Sequence, residues 1–198
     1  MYYSITGRVH IKEDFAVITA GGVGYRVFSS SKTLARLKNN EECTLYTYLS
    51  VKEDSLMLYG FDTEEELSTF KMLIGVSGVG PKAAAAILSA LTPSEFAMSV
   101  VMQEPKSITK AKGVGKKLAE KIIVELKDKL KSVDLTEITQ TNGNIVSMAD
   151  DFVSEAVNAL MVLGYSAADS KQAVDSVKND ADNLEDIIKA ALKKMSII

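Results

Sequence analysis

The stretch SGVGPKAAAAILSAL (Ser77–Leu91) returns 35 residues later as KGVGKKLAEKIIVEL (Lys112–Leu126), and the copies agree at seven of fifteen positions. The shared pairs are Gly78/Gly113, Val79/Val114, Gly80/Gly115, Lys82/Lys117, Ala84/Ala119, Ile87/Ile122 and Leu91/Leu126. A duplicate of this length marks an internal structural repeat. Each copy reads as a glycine hairpin that opens directly into a helix. The two glycines permit a tight turn with unusual dihedrals and leave no side chain between backbone and ligand. The valine between them is placed to plug the core below. The helix start presents free backbone N–H groups and a positive dipole end, which together attract an anion. Pro81 at the first helical position loses nothing, because that N–H has no intrahelical partner. Lys82, Lys116 and Lys117 add charge beside the site, with Lys121 one turn further along.

A lone GVG is more often just a turn between packed helices, since short glycine motifs match widely. Duplication, with lysine at the same offset in both copies, reverses that preference. Nucleotide binding fits less well: Gly75–Gly80 is followed by Pro81 rather than Lys-Ser/Thr, and no G-x-G-x-x-G follows a strand. Two hairpins that each hold a phosphate would read a duplex by its backbone shape and not by its sequence.

Upstream of the repeat the chain reads as strands: 2–9, 15–20, 25–29, 44–51 and 56–61 are rich in β-branched and aromatic residues. Gly21, Gly22 and Gly24 between the second and third suit a hairpin with a bulge or a close backbone approach. Leu34 and Leu37 in 31–38 predict a helix between the third and fourth strands, the element order of an OB-type barrel. The barrel's aromatics alternate as core packing requires, so base stacking is the weaker reading. Thr63-Glu64-Glu65-Glu66 then opens a helix, with a threonine cap, carboxylates over the positive end and Glu66 at the capping-box position. Helical patterning continues to about Leu130. Residues 136–148 are polar and aperiodic and read as a flexible linker. Beyond it, 149–163, 166–177 and a segment capped by Asp182 or Asn183 predict a three-helix tail. The organisation is therefore 1–62, an OB-like barrel; 63–135, an all-α region with both hairpins; 136–148, the linker; and 149–198, the tail.

The 198 residues are 46% apolar and 25% charged, near globular averages. No apolar run approaches the roughly 18 residues that span a bilayer, and MYYSITGRVH lacks a signal-peptide layout. One cysteine, Cys43, forbids an internal disulfide or a cysteine metal cage, and one histidine, His10, leaves little for metal or Ser-His-Asp chemistry. A soluble, cytoplasmic protein is expected, without membrane contact. The net charge of −3 hides a gradient. From Lys106 to Lys131 nine lysines stand against three acids, a net of +6, whereas 141–198 carry five lysines against nine acids, a net of −4. An anionic partner for the middle and a different partner for the tail follow.

The repeat resembles the tandem helix-hairpin-helix motif. The whole order, ending in a tail with Leu163-Gly164-Tyr165, is similar to the family of Holliday junction branch-migration DNA-binding subunits along essentially the full chain. The best-matching stretches are Gly21–Tyr25, Glu53-Asp54 with Leu58–Phe61, Gly78–Leu88 and Gly113–Lys117. The resemblance implies a multidomain α+β protein: OB-like barrel, tandem helix-hairpin-helix domain, and a three-helix tail similar to a ubiquitin-associated fold. It implies no catalytic residue, metal or cofactor, and a homotetramer that holds four-way junction DNA open and flat. The hairpins Gly78-Val79-Gly80 and Gly113-Val114-Gly115, with Lys82, Lys116, Lys117, Lys121 and Lys52, would contact DNA. Glu53 and Asp54 would form an acidic pin at the junction centre, although acidic pairs in β-turns are usually only solvated turn formers. The tail would bind the hexameric motor RuvB, which hydrolyses ATP, and the RuvC resolvase joins the implied partners. Leu163, Tyr165, Leu184 and Ile188 are candidates for the motor contact, with packing inside the tail as the other reading of each.

Two departures stand out. Lys52 precedes the pin where an arginine would grip phosphate in two places. Ala111-Lys112 precedes Gly113 where Leu-Pro is ordinary in the family, which puts the packing at the entrance of the second hairpin in question. Two other functions fit some of the residues: a metal-dependent junction nuclease using Glu53, Asp54 and Asp62, and a helix-hairpin-helix subunit of another repair complex.

Overall fold

Strict apolar alternation builds the barrel. The structure, a computed structural model of the chain, describes residues 2–132, 148–178 and 183–195, so the expected linker lies outside the described residues but for Met148. Strands β1 (Ser4–Ile11), β2 (Phe15–Ala20), β3 (Val23–Phe28), β4 (Glu42–Val51) and β5 (Leu56–Phe61) close in the order β1-β2-β3-β5-β4, with β4 returning to β1. Ile5, Val9, Ala16, Ile18, Val27, Leu45 and Leu58 point inward and form its core. Helix α1 (Ser31–Arg36) lies between β3 and β4, and β3 and β5 pair in parallel through Val27 and Leu58.

The β2–β3 connection is tighter than the expected bulge. Gly21 and Gly22 both have positive φ, 57° and 82°, while Ala20 pairs with Val23 and Thr19 with Gly24. Those dihedrals suit a two-residue turn whose twist matches the strands, so no extra residue is needed.

Helix α2 (Glu64–Ile74) seals one side of the barrel. Its Phe70 ring lies 4.8 Å from that of Phe61, 5.2 Å from Tyr59 and 5.5 Å from Tyr48. These aromatics are thereby spent on packing. Thr63 caps α2 by accepting from the Glu66 N–H at 3.1 Å. The expected capping box is only half made, because the buried Glu66 carboxylate turns toward α1. It accepts from Thr33 Oγ1 at 2.7 Å, from the Asp62 N–H at 3.3 Å and from the Arg36 guanidinium, which also pairs with Asp62 at 3.0 Å. A second tie, from the Ser31 N–H to Ser89 Oγ at 2.9 Å, joins α1 to α3 (Pro81–Ala90). The helices on either side of the first hairpin are thus fixed to the barrel by side-chain hydrogen bonds.

Two compact units result: residues 1–92 with 110–114, and residues 93–109 with 115–198. The second contains α4 (Pro93–Val101), α5 (Pro105–Ile108), α6 (Lys116–Ser132), α7 (Met148–Val162), α8 (Ala167–Asp175) and α9 (Leu184–Met195). Leu160, Leu163, Val174, Ile187, Ile188 and Leu192 are buried in the tail. Helix α7 stops at Gly164, whose φ of 98° brings the Tyr165 N–H back to the Leu160 carbonyl at 3.1 Å, the glycine-dependent C-terminal arrangement. Ser166 caps α8 and Asn183 caps α9. No single helix among the described residues is long and apolar enough to cross a membrane.

Candidate nucleic-acid interface

The two halves of the repeat have the same local structure, bond for bond. Val79 N–H donates to the Val76 carbonyl at 3.0 Å, and Val114 N–H to the Ala111 carbonyl at 3.1 Å. Ala84 N–H reaches the Gly80 carbonyl and Ala119 N–H the Gly115 carbonyl, both at 3.0 Å. Val79 and Val114 are each 5% exposed, so both act as plugs. Ala84, Ile87, Ala119, Ile122 and Leu126 are fully buried behind them. Every identity in the repeat except that of the second glycines is therefore a turn, a core contact or the shared lysine.

The glycines of each pair divide the work. Gly78 and Gly113, the first of each pair, have φ of 92° and 83°, a region costly for any residue with a Cβ. Gly80 has an ordinary φ of −86° and precedes α3 with no side-chain cap. A Cβ added at Gly80 or Gly115 would meet nothing within 4 Å. So the second glycines are needed neither by the turn nor by packing. What they keep open is the space over the first N–H groups of α3 and α6. A phosphate there would meet unpaired donors and the positive end of each helix.

The charges agree. The first turns of α2 (Glu64, Glu65, Glu66), α4 (Glu95), α8 (Asp169) and α9 (Glu185, Asp186) hold acids, whereas those of α3 and α6, like those of the short helices α1 and α5, hold none. Lys82 and Lys117 stand at the second position of their helices, both on the surface, and neither has a carboxylate partner among the described residues. Lysine there opposes the helix dipole by roughly 0.3–1 kcal/mol, so it adds nothing to helix stability. Lys116 and Lys121 differ, being paired along the helix with Glu120 at 3.7 Å and Glu125 at 3.6 Å. Lys112, just before Gly113, is also exposed; in the sequence it is one lysine among many in the +6 run.

The entrance to the second hairpin is sound despite its unusual residues. Ala111 is 3% exposed and accepts the same turn bond as Val76. The smaller side chain fills the place, while Lys112 is left on the surface.

Lys52, Glu53 and Asp54 occupy the β4–β5 turn, closed by the Lys52 N–H bonding to the Ser55 carbonyl at 2.9 Å. All three are exposed, and neither carboxylate is paired with a cation among the described residues. Asp62 lies at the other end of β5, about 20 Å away at strand rise, and is engaged by Arg36. The three acids of the nuclease alternative are therefore not brought together. Among the described residues no group of His, Cys, Asp and Glu is placed to hold a metal. In the tail, Leu163, Tyr165 and Ile188 are buried and Leu184 is half-buried.

A closed five-stranded barrel followed in the chain by a duplicated glycine hairpin defines an OB-fold, tandem helix-hairpin-helix protein. Comparison with known families adds three matches in chain order: RuvA N terminal domain over residues 1–60, SAM-like helix-hairpin-helix tandem over 70–128, and RuvA C-terminal domain over 151–196. The chain is 47% identical over 200 residues to the Holliday junction branch migration complex subunit RuvA of Acetivibrio thermocellus, covering 99% of both. It is 43% identical to that of Ruminiclostridium cellulolyticum over 98% of this chain and 100% of the relative. The protein of the same name from Alkaliphilus oremlandii is 44% identical over 91% of both. The chain belongs to the RuvA family.

Proposed function

We propose that this chain is the DNA-binding subunit of a Holliday junction branch-migration complex, acting without catalysis of its own. The observation that carries the reading is the duplicated hairpin: matched open glycines, Gly80 and Gly115, over helix starts that bear Lys82 and Lys117 where α2, α4, α8 and α9 bear acids. Each hairpin holds one backbone phosphate through peptide N–H groups, and the lysine beside it adds charge without reading a base. Because nothing touches base edges, the grip slides from one sequence to the next, as migration of a junction demands.

A homotetramer supplies the hairpins in multiples and holds four arms open and flat. Glu53 and Asp54 meet phosphates at the crossover and repel them, which keeps the strands apart. ATP hydrolysis belongs to the RuvB partner, recruited by the acidic tail, and RuvC gains access to the held junction. The assembly works in the cytoplasm. Full-length similarity to branch-migration subunits favours this over a helix-hairpin-helix subunit of another repair complex.

The test is a gel shift that compares a four-way junction with a duplex of equal length at one stated salt concentration. Marked preference for the junction, without incision in Mg²⁺, is expected. Equal affinity for the two, or clean incision, would overturn the assignment.

A further inference from the structure

Tyr165 reaches out of the tail. Its hydroxyl donates to Ser94 Oγ at 2.9 Å, in a bond between residues 5% and 8% exposed. Ser94 belongs to α4, in the helical region between the two hairpins, and α9 packs against that same helix. The Gly164 turn, with its φ of 98°, sets the direction in which Tyr165 leaves α7. Two hydroxyls that have left water together each become costly if the other is removed.

We infer that the tail is a ligand of its own chain, docked on α4 with Tyr165 covered, so that the motor must compete with α4 for the tail. The inference rests on the reading of the tail as the motor-binding domain. When only a fraction of a protein is in the binding-competent state, its apparent affinity falls by that fraction. Docking therefore weakens capture of the motor in the free subunit and makes release of the tail a step in assembly.

Ser94 is the place to test this, because it lies outside the tail and outside the hairpins. Two full-length variants serve: Ser94→Arg, which cannot fit the buried site, and Ser94→Ala, which removes only the acceptor. Hydroxyl-radical footprinting of Tyr165 reports docking, and titration with purified RuvB-type motor protein reports competition. The expected result for Ser94→Arg is faster labelling of Tyr165 and motor affinity about tenfold tighter, with junction affinity unchanged. Ser94→Ala should move both readouts the same way by less. If Tyr165 labels no faster in either variant, the tail is not docked and the inference is wrong. If labelling rises while the motor binds no tighter, docking does not compete and the inference is equally overturned. If no form binds the motor while labelling still differs, the motor-binding reading has failed, and the competition falls with it.

Discussion

Helix α2 and the helices α3 and α6 begin in opposite ways. The start of α2 is built for stability: a threonine side chain caps it, three glutamates face its positive end, and Glu66 is buried against Thr33 and Arg36. The starts of α3 and α6 forgo all of this. They have glycine before the first turn, open space above it, and lysine where an acid would help. Within one chain, under one set of folding constraints, the same structural element is finished in two ways. The difference separates a helix end that holds the fold together from one left open, where we propose an anion binds.

The largest effect is expected at α2. Glu66→Ala removes the buried carboxylate that Arg36 and Thr33 share, and should cost roughly 3 kcal/mol of folding stability. That is the low end for a buried pair, because the Arg36 side chain is 47% exposed. Junction affinity of the folded protein should stay unchanged. Denaturant melts beside gel shifts would check it, and a parallel loss of affinity would blur the contrast. Next come the second glycines. Gly80→Val and Gly115→Val should each weaken junction binding roughly 10- to 100-fold, the loss of about one charge-assisted bond at 1.5–3 kcal/mol. Melting temperatures should move little, because a Cβ at either site meets nothing within 4 Å. Gly113→Ala should do the reverse, losing about 1–2 kcal/mol of stability to its positive φ.

Much of this is legible in the chain. The repeat announces both hairpins, and β-branched runs with one intervening helix announce the barrel. The division of labour within each glycine pair is not legible, because sequence shows two glycines and only backbone dihedrals show which one takes the positive φ that a Cβ would make costly. Glu66 reads as a capping-box residue on its spacing from Thr63, which cannot reveal Arg36 and Thr33 some thirty residues upstream. Tyr165 and Ser94 are 71 residues apart, and no local pattern couples them. The even run of lysines conceals that Lys116 has a carboxylate neighbour while Lys117 has none among the described residues.

A smaller effect is expected at the acidic turn. Glu53→Lys/Asp54→Lys should tighten binding to linear duplex, since two carboxylates near phosphates cost on the order of 1 kcal/mol each at surface dielectric. Preference for the junction should shrink as a result. Duplex affinity no better than the parent's at low salt would leave the pair as a solvated turn. The smallest effect is also the most telling for the contrast between helix starts. Lys117→Glu gives α6 the kind of first turn α2 has, and should raise stability by about 0.3–1 kcal/mol while junction affinity falls. A fall in both would show that Lys117 serves the fold.

The salt dependence of junction affinity tests most directly whether phosphates sit at the starts of α3 and α6. It would be measured for the parent, for Lys82→Ala/Lys117→Ala and for Glu64→Ala/Glu65→Ala. The slope of log affinity against log salt reports how many phosphates each protein neutralises. The lysine pair should flatten it by about 1.8 for each protomer that contacts the junction, or 0.9 for each phosphate no longer neutralised, while the glutamate pair leaves it as it is in the parent. A slope unchanged in the lysine pair would contradict phosphate binding at these helix starts.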